Sequence, residues 1–470
     1  MKLQFLGGVQ TVTGSKTLLT SGKHKILIDC GLFQGIKELR LKNREPFPID
    51  PRFVDSVLLT HAHLDHTGYL PLLVKSGFRG KIYCSAPTRD LAELILEDSA
   101  KIQEEDAEYA NRHGYSKHHP AQPLYTLIDV KRTLSYFEAV PPNRWHDLPG
   151  HIRFKLTPSG HILGSTFIEV EAEGKRVVFS GDLGRSRPLI YPSPTLLETA
   201  DFLVIESTYG DRTHHPLSLD LSQTPTDPAN PSLDHSILEK LSQIVQKTFE
   251  RGGQVIIPSF AIGRIQDLLY LFSKLKAAHR LPDIPIYLDS PMGVNATQIF
   301  TDYSKWHRLL PQEIEDLSKI PKILRTQKES IEVMREGQPA VVIAGSGMLS
   351  GGRVLHHLEA RLSEERNTIL LVGFQAAGTR GRLLKDGITE LKMHGKYIPV
   401  RARVEELGDL SAHADQMETL EWLRGFKSAP NVTFINHGEP QASDALRVKI
   451  RDTYGWRCEV PHPFQEFDLN

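Results

Sequence analysis

The stretch His61-Ala62-His63-Leu64-Asp65-His66 places three imidazoles and one carboxylate within six residues. It follows residues 54–60, a leucine-rich and β-branched run that predicts a buried strand, so the cluster lies where a strand ends and a loop begins. Imidazole nitrogen and carboxylate oxygen are the ligands that zinc takes when one coordination position stays open for water. A polar surface turn would account for one histidine but not for this spacing. The stretch therefore predicts a metal site, and its density of ligands favours two metal ions.

The composition is that of an ordinary globular protein. The chain has 470 residues, of which 40% are hydrophobic and 24% charged, and this length predicts two domains. Its formal net charge of −1 gives no overall attraction for a polyanion, so a basic groove would have to be local. Cys30, Cys84 and Cys458 form no CxxC pair and indicate neither a disulfide framework nor a thiolate zinc site. The N-terminal residues have the pattern of a strand and no apolar run reaches membrane length, so we expect a cytoplasmic protein.

The first two hundred or so residues are mostly short strand-like runs broken by glycine. Residues 167–172 and 176–180 flank Glu173-Gly174-Lys175, which is a hairpin signal. Thr88 is a candidate cap for a long amphipathic helix that extends to about Ala110. Strands with hairpins and interspersed helices predict sheets that are covered by helices.

The pattern changes in the second half of the chain. Residues 214–231 are rich in proline and indicate an exposed loop or linker. Beyond them, near-continuous apolar runs such as residues 254–258 and 340–344 alternate with helical segments, which predicts a parallel α/β sheet in a second domain. A last strand, residues 431–436, leads directly into His437.

Four further candidate ligands lie far from the first cluster in the sequence. His161 stands between glycines in residues 157–165, where the backbone can turn tightly, and Asp182 follows a predicted strand. His413 occurs in Ser-Ala-His-Ala-Asp and His437 in Asn-His-Gly-Glu. A single residue of this kind is more often structural, but together with the first cluster these side chains supply the ligands that two metal ions need.

With these residues, the chain resembles the metallo-β-lactamase superfamily. The five motifs of that superfamily correspond here to Asp29, residues 61–66, His161, Asp182 and a C-terminal histidine. The chain is most similar to the β-CASP branch, a group of nucleases that includes the endonuclease subunit of eukaryotic mRNA 3′-end processing and its bacterial and archaeal relatives. The additional motifs of the branch correspond to Glu206, His413 and His437, and its inserted domain to phrases in residues 258–264, 345–348 and 373–375.

The resemblance implies an α/β fold with an inserted domain. Residues 1–209 and 393–470 would form a four-layer αβ/βα metallo-β-lactamase domain, and residues 210–392 an α/β β-CASP cap domain. Such a cap would cover the metal site and leave a slot that admits a single strand of nucleic acid.

The resemblance also assigns the metal ligands. One zinc ion would be held by His61, His63 and His161 and the other by Asp65, His66 and His437, with Asp182 bridging the two.

Three catalytic roles follow from the same resemblance. Asp65 would orient the attacking water, and His413, which has no metal to bind, would act as the general acid. Glu206 would fix the tautomer of His413 and raise its pKa. Asp29 would either fix the geometry of the metal-binding loop or simply form a turn before Gly31, and the sequence does not decide between these roles.

A glycine-rich segment, residues 345–352, follows a predicted strand and precedes a helix. Ser346 and Gly347 could bind a substrate phosphate there through backbone amides, with help from Arg353 and Arg264. A dinucleotide site is disfavoured because the third glycine of its fingerprint would fall on Ser350. A tight helix start without any ligand is the competing interpretation.

Taken together, the sequence predicts a zinc-dependent ribonuclease that hydrolyses single-stranded RNA, by endonucleolytic cleavage. The preference for RNA rests on the family resemblance alone. The alternatives are a DNA nuclease, a hydrolase of small esters or thioesters, and a catalytically silent scaffold. A large cap argues against small substrates, and a complete set of ligands argues against a scaffold. Oligomeric state, including a homodimer, and zinc over manganese are not fixed by the sequence.

Overall fold

A computed structural model describes residues 1–114, 120–214, 219 and 237–470. These residues form two compact units. The first unit comprises Met1–Ser186, Ser193–Thr213 and His413–Asn470, and the second comprises Arg187–Pro192 and the described part of His214–Ala412. Most of the proline-rich loop predicted at residues 214–231 lies outside the described residues.

Strands and helices alternate along the described chain. The strands are β1 (Lys2–Gly7), β2 (Lys16–Ser21), β3 (His24–Ile28), β4 (Ser56–Leu58), β5 (Lys81–Cys84), β6 (Phe137–Ala139), β7 (Trp145–Leu148), β8 (Ile152–Pro158), β9 (Thr166–Ala172), β10 (Lys175–Phe179), β11 (Phe202–Glu206), β12 (Gln254–Pro258), β13 (Ile286–Asp289), β14 (Lys322–Ile323), β15 (Ala340–Ala344), β16 (Thr368–Val372), β17 (Glu390–Met393), β18 (Lys396–Pro399), β19 (Arg403–Leu407), β20 (Val432–Asn436), β21 (Cys458–Glu459) and β22 (Glu466–Asp468). The helices are α1 (Lys37–Lys42), α2 (Leu64–Thr67), α3 (Leu70–Lys75), α4 (Ala86–His113), α5 (Leu127–Leu134), α6 (Ile237–Glu250), α7 (Arg264–Ala277), α8 (Pro291–Asp302), α9 (Pro311–Lys319), α10 (Gln327–Glu336), α11 (Val354–Arg361), α12 (Arg380–Lys385), α13 (Gln416–Leu423) and α14 (Pro440–Tyr454).

Within the described residues, the first unit contains two seven-stranded mixed sheets. Their strand orders are β22-β1-β2-β3-β4-β5-β6 and β21-β20-β11-β10-β9-β8-β7. In the first sheet β1, β2 and β3 are antiparallel and β3 to β6 are parallel. In the second sheet β7 to β10 are antiparallel, including the predicted hairpin of β9 and β10, and β10, β11, β20 and β21 are parallel. Each sheet therefore has one parallel half.

Successive side chains of the strands face two different cores. Ile26 of β3 and Phe434 of β20 belong to the core between the two sheets. Leu27 of β3 instead packs with Leu70 of α3, on the outer face of the first sheet. Leu203 of β11 packs with the helices α13 and α14 on the outer face of the second sheet. The order helix, sheet, sheet, helix confirms the predicted four-layer αβ/βα fold.

The start of the long helix α4 differs from the prediction. Its N-cap is Ser85, whose hydroxyl accepts a hydrogen bond from the backbone N–H of Thr88 at 3.3 Å, so the prediction of Thr88 as the cap was wrong. Pro87 occupies the first turn, which is the only part of a helix that tolerates it without loss of a hydrogen bond. The Thr88 hydroxyl donates to the carbonyl of Gly164 at 2.9 Å and so ties α4 to the turn that carries His161.

The second unit contains a six-stranded sheet among its described residues, in the order β14-β13-β15-β12-β16-β19. Every pairing in this sheet is parallel, as the near-continuous apolar strands predicted. Because β19 pairs with β16, the chain stays in this unit to Ala412, and the boundary expected at 392/393 is corrected to 412/413. The boundary expected at 209/210 is likewise placed at 213/214. The sequence obscured β19 because Glu405 and Glu406 interrupt any apolar run in this edge strand.

Among the described residues, no helix is both long enough and apolar enough to cross a membrane.

Candidate metal centre

The carboxyl ends of parallel strands carry most of the predicted site residues. Asp29 follows β3 and residues 61–66 follow β4 in the first sheet of the first unit. Asp182 follows β10, Glu206 ends β11 and His437 follows β20 in the second sheet. Parallel strands bring such positions to one edge of a sheet, which is where open α/β sheets place their ligands.

His161 is delivered differently, by the tight turn between β8 and β9. The Ser165 hydroxyl accepts hydrogen bonds from the backbone N–H groups of His161 at 3.0 Å and of Ile162 at 3.2 Å. Gly160 and Gly164 both have positive φ angles, of 73° and 78°, in the left-handed region that favours glycine. The flanking glycines thus turn the backbone so that the imidazole points into the cluster.

The first group of ligands consists of His61, His63, His161 and Asp182, whose ligand atoms lie within 4.8 Å of one another. Nδ1 of His63 lies 3.1 Å from Nε2 of His61 and 3.3 Å from Nε2 of His161. Oδ2 of Asp182 lies 3.4 Å from Nε2 of His61 and 3.4 Å from Nε2 of His161. Three imidazole nitrogens and one carboxylate oxygen therefore converge as for one metal ion.

The second group consists of Asp65, His66 and His437. Nε2 of His66 lies 3.2 Å from Nε2 of His437, which lies 3.5 Å from Oδ2 of Asp65. The other carboxylate oxygen of Asp182, Oδ1, lies 3.3 Å from Nε2 of His66. Each of the two carboxylate oxygens of Asp182 thus faces a different group of ligands.

Asp182 is almost completely buried, and among the described residues its Oδ1 has no hydrogen-bond donor. A buried carboxylate oxygen without a partner is costly unless a cation neutralises it. The arrangement fits two metal ions bridged by this carboxylate, because each oxygen already faces a separate set of nitrogen ligands.

The pKa values of the three histidines in the first group shift in the opposite direction from the pKa of His66 in the second group. Burial lowers the pKa of His63 to about 3 and also lowers the pKa of His61 and of His161, so these imidazoles are neutral and keep a lone pair for a metal. Burial would raise the pKa of Asp182, but the surrounding imidazoles, chiefly that of His66, hold it well below its usual range. Burial likewise opposes the charged form of His66, yet Asp182 and Asp29 raise the pKa of this histidine well above its ordinary value.

Asp29 contacts His66 of the second group directly and is linked to His61 of the first group through Thr60. Its carboxylate accepts hydrogen bonds from the backbone N–H and the hydroxyl of Thr60, each at 2.8 Å, and from Nδ1 of His66 at 2.8 Å. The Thr60 hydroxyl, which donates to Asp29, also accepts from Nδ1 of His61 at 3.0 Å. Nε2 of His61 in the first group and Nε2 of His66 in the second group are therefore left for metal binding.

These contacts concern both roles considered for Asp29, which are to fix the geometry of the metal-binding loop and to form a turn before Gly31. Its backbone has a φ of 57°, in the left-handed region that a turn requires, and its side chain holds Thr60 and His66 in place. Sequence reasoning missed Thr60, although a hydroxyl residue between the strand and the first histidine was a usable signal.

Glu206 and His413 form a pair next to Asp182. Nδ1 of His413 lies 3.1 Å from Oε2 and 3.2 Å from Oε1 of Glu206, and 3.9 Å from Oδ2 of Asp182. Oε1 of Glu206 also accepts a hydrogen bond from the backbone N–H of Leu183 at 2.5 Å, which holds the carboxylate in position. Burial opposes the charged form of His413, but Glu206 and then Asp182 raise its pKa to about 9. The pair can therefore present a protonated imidazole.

The residues predicted to bind a substrate phosphate lie in the second unit and have internal partners. The guanidinium of Arg353 donates to Oδ1 of Asp289 at 2.6 Å and to the carbonyls of Leu324 and Arg325, each at 3.1 Å. Arg264 is buried and forms an ion pair with Asp267 at 3.1 Å. These contacts position the two guanidinium groups within the second unit, and the phosphate-binding role expected for Arg353 and Arg264 stays a prediction.

The loop before α11 is explained by packing. A Cβ atom at Gly347 would lie 2.6 Å from the ring of Phe260, so only glycine fits there. The Ser346 hydroxyl accepts hydrogen bonds from the backbone N–H groups of Ser350 at 3.0 Å and Gly351 at 3.3 Å. These contacts favour the alternative of a tight helix start without a ligand.

Three family models match the chain. The description "Metallo-beta-lactamase superfamily" matches residues 12–258, "Beta-Casp domain" matches residues 265–384, and "Zn-dependent metallo-hydrolase RNA specificity domain" matches residues 397–461. The last of these segments contains His413 and His437.

Curated relatives match over nearly the full chain. Ribonuclease TTHA0252 of Thermus thermophilus is 36% identical over 95% of this chain and 95% of its own length. The RNase J-like protein of Methanocaldococcus jannaschii is 31% identical over 98% of this chain and 97% of its own length. Transcription termination factor FttA of Methanosarcina mazei is 30% identical over 96% of this chain and 69% of its own length.

A solved structure, a protein of unknown function from Enterococcus faecalis V583, superposes with a TM-score of 0.52 at 13% identity and covers 99% of both chains. This similarity shows the fold alone.

The contact between Thr60 and the two histidines gives a testable prediction. Thr60→Val keeps the shape of the side chain but removes the hydroxyl that connects Asp29 with His61, so we expect metal affinity to fall roughly 10–100-fold. Thr60→Ser keeps the hydroxyl and should retain the affinity of the natural protein. Competition with a metal chelator, read by elemental analysis of the protein, measures the difference. Equal metal retention by the valine and serine variants would contradict the role assigned to Thr60.

Proposed function

Because the chain belongs to the metallo-β-lactamase superfamily and carries its β-CASP domain, we propose that it is a zinc-dependent ribonuclease that cleaves single-stranded RNA endonucleolytically. The observation that carries this proposal is the position of Asp182, with one carboxylate oxygen towards each of two clusters of metal ligands.

The two clusters divide the ligands between two sites. His61, His63 and His161 would hold one zinc ion, Asp65, His66 and His437 the other, and Asp182 both. When bound, two zinc ions would lower the pKa of a shared water and neutralise the charge that develops on a phosphodiester. The contribution of the protein is to fix these ligands before any substrate arrives, through the Asp29–Thr60 contacts and the backbone turn at His161.

Asp65 and His413 would move the protons of the reaction. The carboxylate of Asp65 is positioned beside His437 and can accept a hydrogen bond from the attacking water, which orients that water towards phosphorus. His413 would donate a proton to the leaving O3′ atom. Because Nδ1 of His413 donates to Glu206, Nε2 is the nitrogen that would deliver this proton.

The choice of RNA as substrate is supported by the relatives. Two of them are named as a ribonuclease and an RNase J-like protein, and one family model is described as an RNA specificity domain. Single-stranded substrate is supported by burial, because His61, His161 and Asp182 are each at most 2% exposed. A phosphodiester must enter the protein to reach them, and a flexible strand can do so where a stiff duplex cannot. The complete set of ligands also speaks against the catalytically silent scaffold.

The proposed activity is tested with 5′-labelled substrates of one sequence, offered as single-stranded RNA, single-stranded DNA and duplex RNA. We expect the single-stranded RNA to be cut at internal positions, with intermediate products at early times, and the other two to be cut slowly. Asp182→Asn serves as the inactive control. Equal rates on RNA and DNA would support the DNA nuclease, and absence of cleavage with all three would overturn the proposal.

A second prediction concerns the number of metal ions. A bridging carboxylate needs two ions, so we expect about two equivalents of zinc per chain. Asp182→Ala should reduce the zinc content of both sites, since each group of ligands loses one carboxylate oxygen. Elemental analysis after zinc loading and gel filtration provides the measurement. At most one tightly held equivalent in the unaltered protein would rule out the two-metal site.

A third prediction separates the general acid from the metal ligands. His413→Ala should keep its zinc and lose roughly 10²–10⁴-fold in the rate of cleavage, which is the usual contribution of a general acid. His462→Ala is the matched control, because this exposed histidine belongs to the same C-terminal segment. Single-turnover rates and metal content are measured on the same samples. Loss of zinc from His413→Ala to the extent seen in Asp182→Ala would show that His413 is a ligand.

A further inference from the structure

We propose that His356, Glu359 and His394 of the second unit form an additional metal site, suited to a single zinc ion. One ligand atom from each of the three side chains lies within 4.8 Å of the others. Two imidazole nitrogens and one carboxylate oxygen are a donor set that zinc accepts, with a water molecule in the fourth position. These residues belong to the second unit, whereas all proposed ligands of the nuclease site belong to the first.

The helix α11 supplies two of the three ligands. His356 and Glu359 are three residues apart, so their side chains lie on the same face of the helix. The neighbouring His357 points elsewhere, since it is fully buried and its Nε2 lies 2.7 Å from Oδ2 of Asp289. The adjacent histidines therefore have separate environments, and only His356 is available at the surface.

The third ligand comes from the tight turn between β17 and β18. His394 and Gly395 form this turn, with positive φ angles of 46° and 80°. Two-residue turns of this kind favour asparagine or aspartate before the glycine, so histidine is not the residue that the backbone alone would select. Nδ1 of His394 lies 2.9 Å from Oε2 of Glu359, and its ring centroid lies 5.0 Å from that of His356.

Binding would require a small rearrangement of exposed side chains. The nitrogen and oxygen donors of a tetrahedral zinc site lie roughly 3.4 Å from one another. Nδ1 of His394 and Oε2 of Glu359 are 2.9 Å apart and would have to separate slightly. The two imidazole rings are inclined by 28° and would have to turn towards a common point. Both histidines are exposed, so their side chains can rotate without disturbing the core.

The charges around the site are compatible with a cation. Burial, and then the neighbouring His394, lower the pKa of His356, which keeps its ring neutral and able to bind a metal. The present cationic partner of Glu359 is Lys396, whose Nζ lies 3.4 Å from Oε1. Zinc would replace the hydrogen bond between His394 and Glu359 and would compete with this lysine.

A metal at this position would link the β17–β18 hairpin to α11. The hairpin already packs against the same core as the helix, through Leu391 and Met393 on one side and Leu355 and Leu358 on the other. A metal ion that binds only when the β17–β18 hairpin is packed against α11 lowers the population of any state in which the hairpin has detached. The local stability of residues 390–399 should therefore depend on zinc.

The test uses His394→Asn in the full-length protein. Asparagine is favoured in this turn, so the variant keeps the backbone and loses the ligand. His279→Asn is the matched control, because His279 is an exposed residue with a φ of 53° and belongs to no candidate metal cluster among the described residues. His356→Gln removes a second ligand from the exposed face of α11. Zinc is titrated into each protein after its tightly bound ions have been loaded.

We expect the unaltered protein and His279→Asn to bind one more zinc ion per chain than His394→Asn and His356→Gln. Hydrogen exchange measures the local stability of residues 390–399. At a zinc concentration about 100 times the dissociation constant, exchange through detachment of these residues should slow about 100-fold. We expect this slowing only in the unaltered protein and in His279→Asn. The same zinc stoichiometry in all four proteins, or the same slowing of exchange in His394→Asn, would overturn the proposal. Failure of the nuclease proposal would instead show in the Asp182 variants, which leave this cluster unchanged.

Discussion

The carboxylate of Asp182 is the group on which the chemistry of the first unit depends. A carboxylate this deeply buried is tolerated only when positive charge and hydrogen-bond donors surround it. In this protein imidazoles are placed on both sides of it, with His61 and His161 near one oxygen and His66 near the other. The same arrangement that makes the carboxylate acceptable within the protein also suits it to metal binding. Folding energy and metal affinity are therefore coupled at one residue.

The division of each sheet into an antiparallel and a parallel half explains where this residue can occur. The antiparallel strands close the two sheets with short turns and fill the central core, whereas the parallel strands end in loops at a common edge. Asp182, Glu206 and His437 follow or end three neighbouring parallel strands, so the separation of their side chains is set by the spacing of strands. Such a framework gives more precise positions than flexible loops would, because the strands are buried on both faces.

Local patterns in the sequence predicted those parts of the protein that are determined locally. Residues 61–66 comprise a short loop after β4 and the start of α2, so their spacing alone indicated shared ligation. Parallel strands such as β15 were apparent because burial on both faces makes them apolar throughout. Predictions were incomplete where a partner is distant in the sequence. The contacts of Arg353 with Asp289 and with the carbonyl of Leu324 could not be predicted, because both partners lie far away along the chain.

The same reason explains what sequence reasoning overlooked. Thr60 precedes the first histidine directly, but its importance comes from its contact with Asp29, which lies 31 residues earlier. The cluster of His356 and His394 arises only because a hairpin folds back onto a helix. The start of α4 is a different case, because Ser85 and Thr88 both carry a hydroxyl that can cap a helix. Pro87 in the first turn indicates that the cap precedes it, at Ser85.

The pairing of β20 with β11 has a consequence for the biosynthesis of the protein. Asn436 stands opposite Glu206 in that parallel pair, and His437 follows it directly, so the second group of ligands is assembled only by a segment made late in translation. His413 reaches Glu206 from the same late segment. A nascent chain can form β1 to β6 of the first sheet and the cluster around His61 before His413 and His437 have been synthesised. The complete set of residues proposed for metal binding and proton transfer therefore comes together only after that segment has folded.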